Sequence, residues 1–171
     1  NYQIEPLQNE DWPQVRSIYA ESISTGVASF DTKPQTGETG IPVVCHLVVL
    51  LRVKEKMFLA GQPEPCFKYL SYIGVAEVSV HVSQEKQRHG IGTALLKALL
   101  AASEKEKYWT VTAEIISENA ASLTLHRKCG FREVGFREKL GHRQGKWHDV
   151  ILLERRSKKT GGHGLPTRKC K

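Results

Sequence analysis

The stretch from Val78 to Lys107 (VSVHVSQEKQRHGIGTALLKALLAASEKEK) constrains the fold of this chain more than any other. Val78, Val80 and Val82 share one face of a strand, and Glu77, Ser79 and His81 share the other. A polar turn leads into Gln87-Arg88-His89-Gly90-Ile91-Gly92. An amphipathic helix then runs from about Gly92 to Lys107, with Leu95, Leu96, Leu99 and Leu100 on its apolar face. A strand that passes through a glycine loop into a helix makes a site for a phosphate-bearing ligand. Gly90 and Gly92 allow a tight turn and close approach of the backbone. The first amides of the helix, with the positive end of its dipole, point back at the loop. Amides of residues about 88 to 93 would donate as an anion-binding nest, and Arg88, Gln87 and Lys86 add long-range attraction.

The rest of the chain supplies a sheet for this unit. Tyr2–Leu7 reads as a short strand. Asn9 is placed to cap a helix with Pro13 in its first turn, and Gly26 to end it. Ala28–Thr32 is a polar loop that carries Phe30, either packed beneath the loop or forming a wall of a substrate pocket. Gly37–Pro42 is loop-like, Val43–Val53 is an apolar strand, and 54–56 is a turn. Met57–Tyr72 is the least readable stretch. Trp109–Ile116 alternates as a strand, Ala120–Lys128 is a helix stopped by Gly130, and Phe131–Leu140 with Lys146–Glu154 form a hairpin about Gly141–Gly145. The order β-α-β-(β)-β-α-β-α-β-β predicts an α/β (α+β) domain with a mixed, largely antiparallel sheet flanked by helices. The loop is R-x-x-G-x-G, not the G-x-G-x-x-G of a dinucleotide-binding fold.

Composition narrows the partners. At 171 residues, 40% hydrophobic and 25% charged, the chain reads as one globular domain. No apolar run approaches a membrane span, and the first residues lack the pattern of a signal peptide, so a cytoplasmic setting is expected. Four cysteines and seven histidines show no metal-ligand spacing, so no metal is expected. The formal charge of +7 suggests polyanions, but residues 1–154 carry 18 basic and 18 acidic side chains. The excess lies in Arg155–Lys171. Residues 157–171 read as a disordered basic tail, and nucleic-acid binding through it is the lesser alternative.

Three further stretches join the glycine loop in one resemblance. Gln87–Gly92 is similar to the Q/R-x-x-G-x-G/A loop of the GNAT superfamily of N-acetyltransferases. Ser117–Phe131, with its asparagine and terminal Gly-Phe, resembles that superfamily's second cofactor segment. Ala28–Thr32 and Gly141–Asp149 resemble the branch of phosphinothricin and methionine sulfoximine acetyltransferases. The resemblance covers roughly residues 3–36 and 73–156. It implies direct transfer of an acetyl group from acetyl-CoA to the primary amine of a small amino acid or analogue. It implies two splayed strands, Ala76–Val82 and Trp109–Ile116, with the pantetheine arm between them. The backbone of Val80, His81 and Val82 would pair with that arm. Gln87, Arg88, His89, Gly90, Ile91, Gly92 and Thr93 would hold the pyrophosphate, and Asn119 and Ser122 the arm at the second helix. The side chains of His81 and His89 would be bystanders. Glu77 matches the branch's catalytic glutamate and would act as general base on the acceptor, with Phe30 beside it. His126 stands where many members place the residue that protonates the leaving thiolate. A homodimer is expected by analogy.

Residues 37–72 depart from the branch. Its tryptophan-rich helix after Pro34-Gln35-Thr36 and its following strand are both missing. Two local shifts of reading frame would account for this. Back-translated and read one nucleotide later, Ala60–Tyr69 can encode the Ser-Pro-Val-Ser strand of the branch. An alternative function is therefore a protein that binds CoA but is catalytically impaired.

Overall fold

The computed structural model describes residues 3–6, 8–33, 49–53, 56–60, 64–65, 72 and 74–161. The expected loop at 37–42, most of the 61–71 stretch and the basic tail beyond 161 lie outside the described residues, as do most of the positions that bear on the frame-shift reading.

Among the described residues the chain builds two sheets, and it passes from one to the other between Glu77 and Val80. Strand β1 (Gln3–Pro6) is followed by helix α1 (Trp12–Ser24), β2 (Val49–Val53), β3 (Lys56–Ala60), the short β4 (Glu64–Pro65), β5 (Val75–Glu77) and β6 (Val80–His81). Helix α2 (Ile91–Lys105), β7 (Thr110–Ile116), α3 (Ala120–Lys128), β8 (Arg132–Arg143) and β9 (Lys146–Arg156) complete the order. One sheet runs β1-β2-β3-β6 and is antiparallel throughout. The other runs β4-β5-β7-β9-β8, with β5 and β7 parallel and the remaining pairs antiparallel. A parallel pair needs a long crossover, and α2 is that crossover.

The expected continuous strand through Val82 breaks at Val78-Ser79. Val75, Ala76 and Glu77 pair with Thr110, Val111 and Thr112. A last bond, 2.9 Å from Val78 N to Thr112 O, closes that ladder. Beyond it the chain crosses to the other sheet, where His81 and Val80 pair with Leu59 and Ala60. Residues 113–116 of β7 keep their pairing with β9 alone. The two strands therefore part at Glu77-Val78, as the splay requires.

The core lies between α2 and this sheet. Leu95, Leu96 and Leu99 are fully buried, packed in one cluster with Val111, Ala113, Ile115, Phe131 and Leu153. Each such leucine contributes about 1.5–3 kcal/mol on burial. Val80 and Val82 pack against the same cluster.

Local signals hold with shifts. Helix α1 starts later than expected: Asn9–Asp11 form a 3-10 turn, and Asp11 is the N-cap residue, with Oδ2 accepting from Gln8 N at 2.9 Å. β8 runs on through Arg143, so the hairpin turn is only Gln144-Gly145. Both have positive φ (50° and 78°), the two-residue turn that matches strand twist. Residues 157–161, read as the start of the tail, are packed. Ser157 N bonds to Trp109 O at 2.8 Å, and Thr160 Oγ1 donates to Tyr108 O at 2.6 Å. No helix among the described residues is long and apolar enough to cross a membrane.

Candidate active site

Where the strands part, a cleft of about 800 Å³ opens. Its walls are the end of α1 with Thr25–Ala28, strand β6, the glycine loop with the start of α2, and the first turns of α3. Ten residues expected at the cofactor line it: Val80, His81, Val82, Gln87, Arg88, Gly90, Gly92, Thr93, Asn119 and Ser122. His89 is exposed, with Nδ1 2.7 Å from the Gln87 carbonyl two residues earlier, and Ile91 is 2% exposed within the core. Sequence reading missed Glu21, Ser22, Val27 and Glu118, which reach the cleft from elements distant in sequence.

The loop turns on two left-handed residues. Arg88 and Gly90 both have positive φ, 63° and 78°. Gly90 is the N-cap residue of α2, and no side chain caps that helix. The amides of Ile91, Gly92 and Thr93 are thus free of intrahelical partners and of a capping group. The two glycines serve different ends. A Cβ at Gly90 would meet open space, so its role is the left-handed backbone. A Cβ at Gly92 would lie 3.2 Å from Leu125 Cδ2 and 3.7 Å from Val82 Cγ2, so its role is close packing of α2 against α3 and β6. Gly90→Ala is expected to cost about 1–2 kcal/mol from backbone strain alone, with no clash. Urea unfolding reads this cost, and an unchanged midpoint would contradict it.

Asn119 joins two walls. Its Oδ1 accepts from Ser122 N at 3.0 Å as the cap of α3, and its Nδ2 donates to Val27 O at 3.2 Å. Beside it Glu118 Oε1 accepts from Lys146 Nζ and lies 3.0 Å from His148 Nδ1. These bonds, Lys146 first, hold the Glu118 carboxyl down at about 2. Phe30 lies across the hairpin, against Gly141, where any Cβ would overlap its ring, and 6.1 Å from the His148 ring.

Besides His89 and Ile91, three more expected site residues stand apart from the cleft lining. Phe30 is part-exposed against the hairpin. Glu77 is exposed at the last paired position before the strands separate. His126 is 2% exposed, edge-on to Phe131 at 5.0 Å, with Nδ1 2.9 Å from Ser122 O. A carbonyl only accepts, so Nδ1 carries the proton and Nε2, buried with no partner, carries none. Burial lowers the pKa of this ring, so it stays neutral and has no proton for a leaving thiolate in this arrangement.

Acid should unfold the protein in two windows. Burial pushes His81 from 6.5 down to about 4. Between those values the unfolded chain takes up a proton that the folded ring refuses, so stability falls as pH drops through that range. The contribution of Glu118, complete above about 4.5, is lost as pH falls toward 2. Urea midpoints that stay flat from pH 6.5 to 4 would contradict the first window.

Residues 48–152 match the family model described as an acetyltransferase (GNAT) domain. The chain belongs to the GNAT acetyltransferase family. It is 29% identical over 160 residues to a phosphinothricin N-acetyltransferase of Alcaligenes faecalis, covering 89% of this chain and 81% of that one. It is 35% identical over 81 residues to an L-methionine sulfoximine/L-methionine sulfone acetyltransferase of Pseudomonas aeruginosa, 47% of each chain. A GNAT phosphinothricin acetyltransferase from Sinorhizobium meliloti, solved in complex with AcCoA, superposes with a TM-score of 0.78 at 23% identity, over 98% of this chain and 97% of that one. The parted strands and helix-capping glycine loop are thus set in a GNAT fold.

Proposed function

We propose that this GNAT chain transfers the acetyl group of acetyl-CoA to the primary amine of a small amino acid or analogue, with Glu77 as general base. The carrying observation is that one cleft joins the opened edge of β6 to an uncapped helix N-terminus. The first suits the amides of an extended arm, and the second suits a diphosphate. The chemistry of the chain's own groups fits: Gly90 gives the loop its left-handed turn, and Arg88 and Lys128 contribute positive charge to the lining. In this reading Val80–Val82 align the pantetheine arm, residues 87–93 hold the pyrophosphate, and Asn119 and Ser122 close the site from α3. Acetyl-CoA supplies a thioester carbonyl open to attack by an amine. An alkylammonium must first lose a proton, and Glu77, at the vertex of the parted strands, takes it directly or through water.

The kinship with enzymes named for phosphinothricin and methionine sulfoximine supports an amino-acid acceptor. The test is release of free CoA thiol from acetyl-CoA in the presence of either compound. Binding of acetyl-CoA without thiol release on a panel of amino acids would overturn the catalytic reading and leave only cofactor binding.

A further inference from the structure

One residue of the cleft lining, His81, belongs to a polar cluster that is unused by the mechanism above. β6 runs from the parting of the strands toward the glycine loop. A cofactor with its phosphates at Arg88–Thr93 therefore brings its thioester to the Val80–His81 end. Val80 and Val82 face the core, so the His81 side chain takes the opposite face. There it stacks edge-on with Tyr19 of α1, ring centroids 4.9 Å apart. His81 lines the cleft yet is only 7% exposed, and its Nδ1 has no hydrogen-bond partner. A buried ring nitrogen left unsatisfied carries a desolvation cost that calls for a reason, and a ligand is one. The ring is neutral at pH 7 because of its burial, so one nitrogen presents a lone pair.

A negative charge stands one ring away. The Tyr19 hydroxyl donates to Asp31 Oδ2 and lies 3.3 Å from Ser29 Oγ, which accepts from Asp31 N at 3.1 Å. Among the described residues no lysine or arginine pairs with the Asp31 carboxylate. The segment that carries it is held from both sides, by Asn119 Nδ2 on Val27 O and by Arg143 Nη1 on Ser29 O at 2.7 Å. A carboxylate with no lysine or arginine partner among the described residues and a buried imidazole nitrogen with no partner, linked through the Tyr19 side chain, are groups that a primary ammonium satisfies.

We propose that His81, Tyr19 and Asp31 recognise the amino group of the acceptor, a free amino acid: Asp31 supplies the counter-charge, Tyr19 holds it in place, and the unpartnered His81 nitrogen accepts an N–H. The proposal rests on the acetyl-transfer reading and adds the residues that select its acceptor. It makes the His81 side chain a participant, not the bystander that sequence suggested.

Histidine-labelled protein saturated with CoA, titrated with L-methionine sulfoximine or phosphinothricin, tests it by nitrogen NMR. The His81 ring resonances should move with amine, and those of His89 should not. Asp31→Asn, which keeps the shape and loses the charge, should raise the KM for the amine about 10–100-fold and leave kcat within about threefold. Its calorimetric affinity for acetyl-CoA should be unchanged. Unmoved His81 resonances at saturating amine, or an unchanged KM in Asp31→Asn, overturn the proposal. A wild-type chain that fails to bind acetyl-CoA instead overturns the reading beneath it.

Discussion

Glu77→Gln is expected to lower the rate of acetyl transfer at neutral pH by about 10²–10⁴-fold, the usual range for a positioned general base. The amide keeps the size and hydrogen-bonding shape of the carboxylate but cannot take a proton. Glu77 is exposed at the end of β5, so the change should leave stability within about 0.5 kcal/mol. Affinity for acetyl-CoA should hold as well, since the loop proposed to hold the pyrophosphate begins ten residues further on at Gln87. The loss should shrink as pH rises toward the pKa of the acceptor, because the amine then arrives already deprotonated. Initial rates of free-thiol release across pH measure both effects. A rate equal to wild type at neutral pH removes Glu77 from the mechanism.

Arg143→Met carries the largest expected effect on stability. Arg143 is 6% exposed, and its guanidinium spans two elements. Nη2 donates to Ile23 O at 2.6 Å and Nη1 to Ser29 O at 2.7 Å. Ile23 lies in the last turn of α1, where its carbonyl also accepts from Gly26 N at 3.2 Å and the dipole is negative. Methionine fills much of the volume but leaves both carbonyls without that donor. At about 1.5–3 kcal/mol for each bond to a charged group, a loss of about 3 kcal/mol or more is expected. For a domain of this size that lowers Tm by roughly 6–12 °C. Arg143→Lys should recover only part, since one ammonium cannot reproduce the planar fork. The same change frees the segment that carries Phe30 and Asp31, so the KM for the acceptor should rise more than that for acetyl-CoA. A melting temperature within about 2 °C of wild type would contradict this account.

The glycine-loop side of the cleft was legible because its signals are local. Loop, glycines and helix lie within one run of sequence, and a tight left-handed turn leaves a direct trace in residue type. Gly90 could be read as a turn glycine from spacing alone, and its φ of 78° agrees. Asn119 could be read as the start of α3, and its side chain does cap that helix. Elements with clear periodicity, α2, α3 and β9, fall within a residue or two of expectation.

The side formed by α1, residues 27–31 and the hairpin was hidden because its contacts join distant segments. Arg143 reads as one more polar residue in a hairpin turn, yet it is buried against residues 114 and 120 positions earlier in the chain. His81 sits on what alternation marks as the polar face of its strand, and it is buried because α1 crosses that face. His126 matches a family position for proton donation, but its helix turns Nδ1 onto a backbone carbonyl. No periodicity reports which side chain a neighbouring element will cover.

By itself, then, the sequence determined the strand, glycine loop and helix, and through them the fold class. Steric freedom at glycine and the dipole of a helix are properties of a few consecutive residues. Only the tertiary structure decided where β5 and β6 part company, that His81 keeps a nitrogen without a partner, and that Arg143 fastens the segment carrying Asp31. Burial and pairing at those points depend on which distant surfaces meet, and that is settled by packing of the whole domain.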